Sequence, residues 1–105
     1  MRLRDAALNP NPASALAALE YCFARYRTCR ALATWTAARI LGDKERPRVK
    51  SARELIEYIE RRVMEMVDEE LGDKAESVKR QRARALLDAV LRTLIVSLAS
   101  HYEEV

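Results

Sequence analysis

The sequence contains few of the residues that interrupt helices, with only two glycines and three prolines in 105 residues. Both residue types disfavour a helix interior. Alanine, leucine, arginine and glutamate, which favour helices, are abundant instead. The composition therefore predicts an all-α protein, and the length predicts a single helical domain over residues 1–105. Asparagine and glutamine are also scarce, which together with the many arginines and glutamates favours a thermophilic source.

Long apolar runs are missing as well, because charged residues such as Glu20, Arg25, Asp88 and Arg92 interrupt each candidate. A membrane-spanning helix needs about 18 or more consecutive apolar residues, so we expect no membrane contact. The first five residues, Met-Arg-Leu-Arg-Asp, lack the apolar region of a signal peptide. With only two cysteines in the chain, this pattern predicts a cytoplasmic protein in a reducing compartment.

The longest predicted helix covers residues 12–41 and organises the rest of the chain. Asn11 is placed to cap it, Pro12 suits its first turn, and Gly42 suits the left-handed residue after its end. Its apolar residues recur at steps of three and four, which places them on one face. They are Leu19, Cys22, Tyr26, Cys29, Ala33, Ala37 and Ile40. A kink at residues 34–36 is the alternative to a straight helix.

Two further helices are predicted over residues 52–71 and 74–102, each preceded by a capping-box pattern. The first of them is amphipathic, and Tyr58 falls on its polar side, where an exposed aromatic ring would indicate a contact surface. The second is apolar on nearly every side from Ala85 onwards. The capping-box patterns are Ser51 with Glu54 and Asp73 with Glu76.

The apolar part of the helix over residues 74–102 needs more cover than two neighbouring helices provide. Helices of 29 residues are also about 43 Å long. A compact chain of this size has a radius of gyration of about 13 Å, so helices of that length do not fit within a compact globule. We therefore expect an elongated bundle of three main helices that is completed by oligomerisation, as a homo-oligomer or within a larger complex. The predicted interface residues are Leu87, Leu91, Ile95, Leu98 and Tyr102.

The two cysteines, Cys22 and Cys29, lie seven residues apart on the first predicted helix. This spacing separates them by about 10.5 Å along a continuous helix, too far for a disulfide within the chain. The sequence therefore predicts two small core residues, with a disulfide across a symmetric dimer as the alternative. Two cysteines are also too few for a zinc site.

The charges are segregated along the chain. Residues 1–50 carry a net charge of +6, residues 51–73 one of −5, and residues 74–105 one of +2.

Four cations alternate in the segment after Gly42 and suit a phosphate backbone if that segment is extended. This linker cluster consists of Lys44, Arg46, Arg48 and Lys50. A second cluster extends the same track, and it consists of Lys79, Arg80, Arg82 and Arg84. No aromatic residue is interleaved with either cluster, so base stacking is not expected.

Glu54-x-x-Glu57 followed by Glu70-x-x-Asp73 resembles the acidic motif of the MazG-like nucleotide pyrophosphatases. The resemblance implies magnesium-binding carboxylates on two facing helices. On one continuous helix, however, Glu57 and Glu70 lie about 20 Å apart and cannot share a metal. We therefore expect a solvated acidic face at these positions and no metal.

His101 is the only histidine, and together with Arg92 it resembles the Arg and His pair of the HEPN ribonucleases. The resemblance implies a ribonuclease that is a small helical dimer. Eight residues separate the pair here, which places the two side chains on opposite faces of a helix. The chain has no Gly-rich phosphate loop and no Ser/His/Asp set. We therefore expect no enzymatic activity and no cofactor.

These patterns together favour a non-enzymatic helical subunit that assembles and contacts nucleic-acid backbone without reading sequence. Small subunits of ribonucleoprotein and nucleoprotein complexes have this general architecture. The alternative is a protein-protein interaction module or homo-oligomer, in which the cations pair with the acidic helix instead. A small helical hydrolase is the third candidate.

Overall fold

The computed structural model describes residues 2–103 and contains five α-helices in that part of the chain, with no strand. The prediction of an all-α protein is confirmed. Three main helices are not found, because the region 12–41 forms two helices and a short helix precedes them. The helices are α1 (Leu3–Leu8), α2 (Pro12–Arg25), α3 (Cys29–Ile40), α4 (Ala52–Leu71) and α5 (Glu76–Tyr102).

The start of α2 follows the predicted capping pattern. The Asn11 side chain accepts a hydrogen bond from the Ser14 N–H at 3.0 Å, and the Ser14 hydroxyl accepts one from the Asn11 N–H at 3.3 Å. Pro12 occupies the first helical position, where its missing N–H costs nothing.

The chain turns between α2 and α3 through residues 26–28, so the prediction of one helix over residues 12–41 is wrong. Tyr26 has extended backbone angles, φ −121° and ψ 121°, which end α2. Tyrosine and threonine have modest helix propensities, and long-range contacts favour the turn. The Tyr26 ring stacks on Tyr102 with centroids 4.3 Å apart, and the Thr28 and Tyr102 hydroxyls are hydrogen-bonded at 2.6 Å.

The same turn brings Cys22 and Cys29 together in a disulfide. Their Cα atoms are 6.0 Å apart, compared with about 10.5 Å on a continuous helix. Both cysteines are fully buried, which confirms their prediction as core residues. The exclusion of a disulfide within the chain is wrong because it assumed an unbroken helix. The alternative kink at residues 34–36 is not found, since α3 is continuous there.

A Schellman motif ends α3 at Gly42. The Asp43 N–H donates to the Ala38 carbonyl at 2.8 Å, and the Gly42 N–H donates to the Arg39 carbonyl at 3.1 Å. Gly42 has a φ of 77°, a left-handed conformation that costs glycine little. The predicted helix end at Gly42 is therefore confirmed.

The predicted bounds of the second helix are those observed for α4. The Ser51 side chain accepts a hydrogen bond from the Glu54 N–H at 3.2 Å. The Glu54 carboxylate accepts one from the Lys50 N–H at 2.5 Å. Half of the capping box therefore forms as predicted, while the glutamate reaches one residue further back and holds the end of the preceding segment.

The helix α5 begins at Glu76, and its N-cap residue Ala75 makes no side-chain cap, so the predicted pairing of Asp73 with Glu76 is wrong. With 27 residues, α5 is about 40 Å long. It sets the long dimension of the described residues, which measure 43 × 28 × 19 Å with a radius of gyration of 13.7 Å. None of the helices within residues 2–103 is long and apolar enough to cross a membrane.

The apolar part of α5 is covered within the chain. All four other helices contact α5, and α1 lies against its C-terminal part. The Leu3 N–H donates to the Glu103 carboxylate at 2.8 Å, which ties the start of α1 to the end of α5. The largest fully buried side chains include Leu3, Leu19, Leu55, Ile59, Leu91 and Leu94.

The predicted partner interface on α5 is largely part of this core. Leu91, Ile95 and Leu98 are fully buried by the chain itself, because α1 and the division of residues 12–41 into α2 and α3 supply the cover that the sequence analysis assigned to another chain. Placing these three residues at an interface is therefore wrong. Leu87 and Tyr102 remain half-buried, and oligomerisation stays a prediction.

Candidate nucleic-acid interface

The segment between α3 and α4, residues 43–50, lies on the bundle with its cations directed outward. Pro47 and Val49 are half-buried, and Val49 packs against the core. The linker cluster is exposed at all four positions. From Arg46 to Lys50 the exposure alternates, as expected for an extended segment that lies on a surface.

Asp43 holds the start of this segment. Arg62 donates to its carboxylate through Nη2 at 2.7 Å and through Nε at 3.0 Å, and the Tyr58 hydroxyl donates to it as well. The hydrogen bonds from Arg62 hold the pKa of Asp43 below its usual value. Burial, together with the hydrogen bond to Asp43, raises the pKa of Tyr58 to about 12. Around neutral pH the carboxylate therefore stays ionised and the phenol stays a donor.

The helix pattern places Tyr58 on the polar side of α4, yet it is only 6% exposed, so the exposed ring that would indicate a contact surface is not found. Its hydroxyl finds a partner in Asp43, a residue that lies outside α4 and that the helix pattern alone cannot locate. A tyrosine with a satisfied hydroxyl is readily buried. Tyr58 therefore anchors the segment and is not itself a contact surface.

The exposed cations of residues 46–50 share a hollow with Arg30 of α3. This linker hollow has a volume of about 330 Å³, and its lining also includes Ala31 and Thr34. Arg30 is exposed and joins Arg46, Arg48 and Lys50 around the opening. Arg30 was not predicted as a site residue, because residues 12–41 were expected to form one helix and only cations close to one another in sequence were grouped.

A second hollow, the aromatic hollow, adjoins the first at Arg46, which lines both. Its volume is about 410 Å³. Trp35 borders it and is 46% exposed, and the Arg39 guanidinium lies 4.7 Å from the centroid of the Trp35 ring. The lining comprises Thr28, Ala31, Leu32, Trp35, Arg46 and His101. An aromatic residue therefore does accompany the linker cluster, although none is near it in sequence.

The second cluster has a different environment on α5. Lys79 lies 3.5 Å from the Asp68 carboxylate, and Arg82 lies 3.7 Å from that of Glu70. Arg80 and Arg84 are exposed. Two of the four cations are thus paired with acids of α4, as the alternative interpretation of the charge pattern predicts.

The two clusters lie at opposite ends of α4. That helix has 20 residues and is about 30 Å long, with the linker cluster before its first residue and the second cluster facing its last turns. Its exposed residues between them include Glu57 and Glu60, while Glu65 is paired with Arg61 and Arg62. A single phosphate track along this helix is disfavoured by repulsion.

The residues behind the hydrolase resemblances do not form a site. Glu54 and Glu57 lie in the first turns of α4, and Glu70 lies in its last turn. Within residues 2–103 no group of three or more His, Cys, Asp or Glu side chains is arranged to hold a metal ion. His101 packs edge-on against the Tyr102 ring, with centroids 4.7 Å apart, and lines the aromatic hollow.

The surface around the two hollows therefore offers cations and an exposed aromatic ring, a combination suited to binding an anionic ligand. Comparison of the chain with protein-family models, with curated proteins and with solved structures finds no match.

Proposed function

We propose that this protein is a non-enzymatic helical subunit that binds nucleic acid through backbone phosphates at the linker cluster. The observation that carries this proposal is the grouping of Arg30 with Arg46, Arg48 and Lys50 around the linker hollow. Exposed cations that line one hollow suit a row of phosphates, and they carry no base-edge recognition. Binding of this kind is independent of sequence.

The rigid attachment of the segment supports the proposal. Asp43 is held by Arg62 and Tyr58 at one end, and the Lys50 N–H is held by Glu54 at the other. A segment fixed at both ends loses little conformational freedom when its side chains bind a ligand. The cations are therefore presented in advance of binding.

Binding of oligonucleotides at graded salt concentrations tests the proposal. Four phosphate contacts on a single strand give a slope of about −3 for the logarithm of affinity against the logarithm of salt. Raising the salt from about 50 to about 200 mM then weakens binding about 50-fold. An absence of binding to both single- and double-stranded oligonucleotides at about 50 mM salt contradicts the proposal.

The alternative function is a protein-protein interaction module, and one surface favours it. Leu8 is 80% exposed and Val96 is 47% exposed, and both line a hollow of about 410 Å³ between α1 and α5. Exposed apolar side chains grouped in this way mark contact surfaces. A solution mass above that of the 12.0 kDa chain, lost in Leu8→Glu but kept in Arg46→Glu/Arg48→Glu, supports assembly through this surface.

A further inference from the structure

The Trp35 ring lies outside the buried core of the chain and is partly exposed. The inward face of α3 consists of buried small residues, among them Cys29, Ala33 and Ala37. Trp35 is not one of the buried core residues and leaves 46% of its surface in solvent. Exposing nearly half of a large aromatic side chain forfeits part of its hydrophobic stabilisation, so packing within the chain accounts for a tryptophan here only in part.

The ring borders a hollow of a size that suits one flat aromatic group. Its volume is about 410 Å³, and it is a shallow depression that is largely open to solvent, a form that suits a flat group laid against a ring. Ala31 and Leu32 provide small and apolar lining, while Thr28 and His101 provide polar edges. Arg39 covers one face of the Trp35 ring and is not part of this lining, so a ligand in the hollow would use the opposite face of the ring.

Arg46 connects this opening to the cationic surface, since it lines both hollows. A ligand with an aromatic group beside Trp35 and an anion at Arg46 therefore continues directly towards Arg30, Arg48 and Lys50. A nucleic-acid strand has this order of groups, with a base attached to each phosphate-linked sugar. In a duplex the base faces are stacked on one another, so only an unpaired base can lie against an indole ring.

We propose that the ligand of this surface is single-stranded nucleic acid, with one base stacked on Trp35 and the adjoining phosphate bound by Arg46. This inference rests on the proposed backbone binding at the linker cluster and adds the strand state of the ligand. Stacking on an aromatic side chain is largely independent of base identity, so it is compatible with binding that does not read sequence.

The fluorescence of Trp35 tests the stacking directly, because Trp35 is the only tryptophan in the chain. Titration of the unmodified protein with a single-stranded oligothymidylate should quench the emission along the same curve that an independent binding measurement gives. A duplex of equal length should bind more weakly and leave the emission nearly unchanged. Inorganic polyphosphate, which offers anions without bases, should also bind without quenching.

Substitution of Trp35 gives a second readout. Trp35→Ala should lower the affinity for single strands by about 5- to 150-fold, while the salt slope stays unchanged because no cation is removed. Trp35→Phe should retain most of the affinity. Met64→Ala on α4, at a site of similar exposure (42%), is the matched control and should bind as the unmodified protein does. Thermal unfolding of each variant shows whether the fold is kept.

The outcomes separate this inference from the function on which it rests. One outcome is salt-dependent binding without quenching, in which Trp35→Ala has the same affinity as the unmodified protein. It overturns the stacking of a base on Trp35 and leaves backbone binding intact. A change in emission that depends on protein concentration alone assigns Trp35 to a protein contact and also overturns the inference. An absence of binding to any oligonucleotide at low salt overturns both proposals.

Discussion

The linker cluster and the second cluster contain the same number of cations, yet their surroundings differ. The linker cluster lies on a segment fixed by Asp43 and Glu54, adjoins Arg30 and Trp35, and is exposed throughout. In the second cluster Lys79 and Arg82 face acids of α4. The comparison shows that two similar runs of basic residues can differ in how much of their charge the fold pairs with nearby acids.

Charge reversal at each cluster is expected to give the largest contrast. Arg46→Glu/Arg48→Glu should lower the affinity for single-stranded oligonucleotides by about 100-fold at low salt, because two phosphate contacts are lost and two repulsions are added. Arg80→Glu/Arg84→Glu changes the net charge by the same amount and should lower the affinity by less than about 5-fold, through long-range electrostatics alone. Equal losses in the two variants would show that net charge, and not the linker surface, governs binding.

Removal of the disulfide should affect the side of the molecule that carries the linker cluster. The bond between Cys22 and Cys29 closes a short loop across the turn that positions α3, and thereby Arg30 and Trp35. Cys22→Ala/Cys29→Ala should lower the free energy of unfolding by about 2–3 kcal/mol, measured by urea denaturation. Reduction of the unmodified protein should give a similar loss.

Amide hydrogen exchange locates the effect of that change within the chain. Faster exchange is expected in α2 and α3, whereas residues 76–84 should keep their rates. A uniform increase over all five helices would contradict the assignment of the disulfide to a local role at the turn.

Asp43→Asn is expected to have a smaller effect on stability. It removes the charge that Arg62 binds, at a cost of about 1–2 kcal/mol at neutral pH. Because the folded-state pKa of Asp43 lies below its usual value, this stabilisation is complete above about pH 4 and is lost as the pH falls further. The stabilities of the unmodified protein and of Asp43→Asn should therefore converge on acidification, as measured by thermal unfolding across pH. A difference that stays constant down to about pH 2 would contradict an ionic role for Asp43.

The corresponding change at the second cluster should have the smallest effect. The side chain of Asp68 is 60% exposed in its pair with Lys79, and exposed pairs contribute about 0.2–1 kcal/mol. Asp68→Asn should therefore change the free energy of unfolding by less than about 0.5 kcal/mol and leave oligonucleotide affinity within about 3-fold. A marked gain in affinity would show that the α4 acids suppress a second binding site.

Local signals in the sequence predicted much of the fold. The Asn11 cap, the left-handed Gly42 and the bounds of α4 depend on residues within a few positions of one another, and each is observed. The turn at residues 26–28 was missed because its main supports, the contacts with Tyr102, come from the other end of the chain.

For the candidate site too, local patterns were predicted from the sequence, whereas contacts between distant residues were not. Alternation of cations in residues 43–50 was visible in the sequence. The proximity of Trp35 to Arg46 and the burial of Tyr58 under Asp43 depend on how α3 and α4 are oriented. Helical periodicity gives the face of each residue, but it does not give the residue that covers that face.

Lysine footprinting tests most directly whether the linker cluster, and not the second cluster, is the binding surface. The chain has four lysines, Lys44 and Lys50 in the linker cluster and Lys74 and Lys79 at the far end of α4. Of the first two, Lys50 lines the linker hollow. Acetylation of the unmodified protein, read by mass spectrometry with and without single-stranded oligonucleotide, reports on both regions in one sample. Our account predicts protection of Lys44 and Lys50, with the rate at Lys74 unchanged. Protection of Lys74 and Lys79 without protection of Lys44 and Lys50 would contradict it.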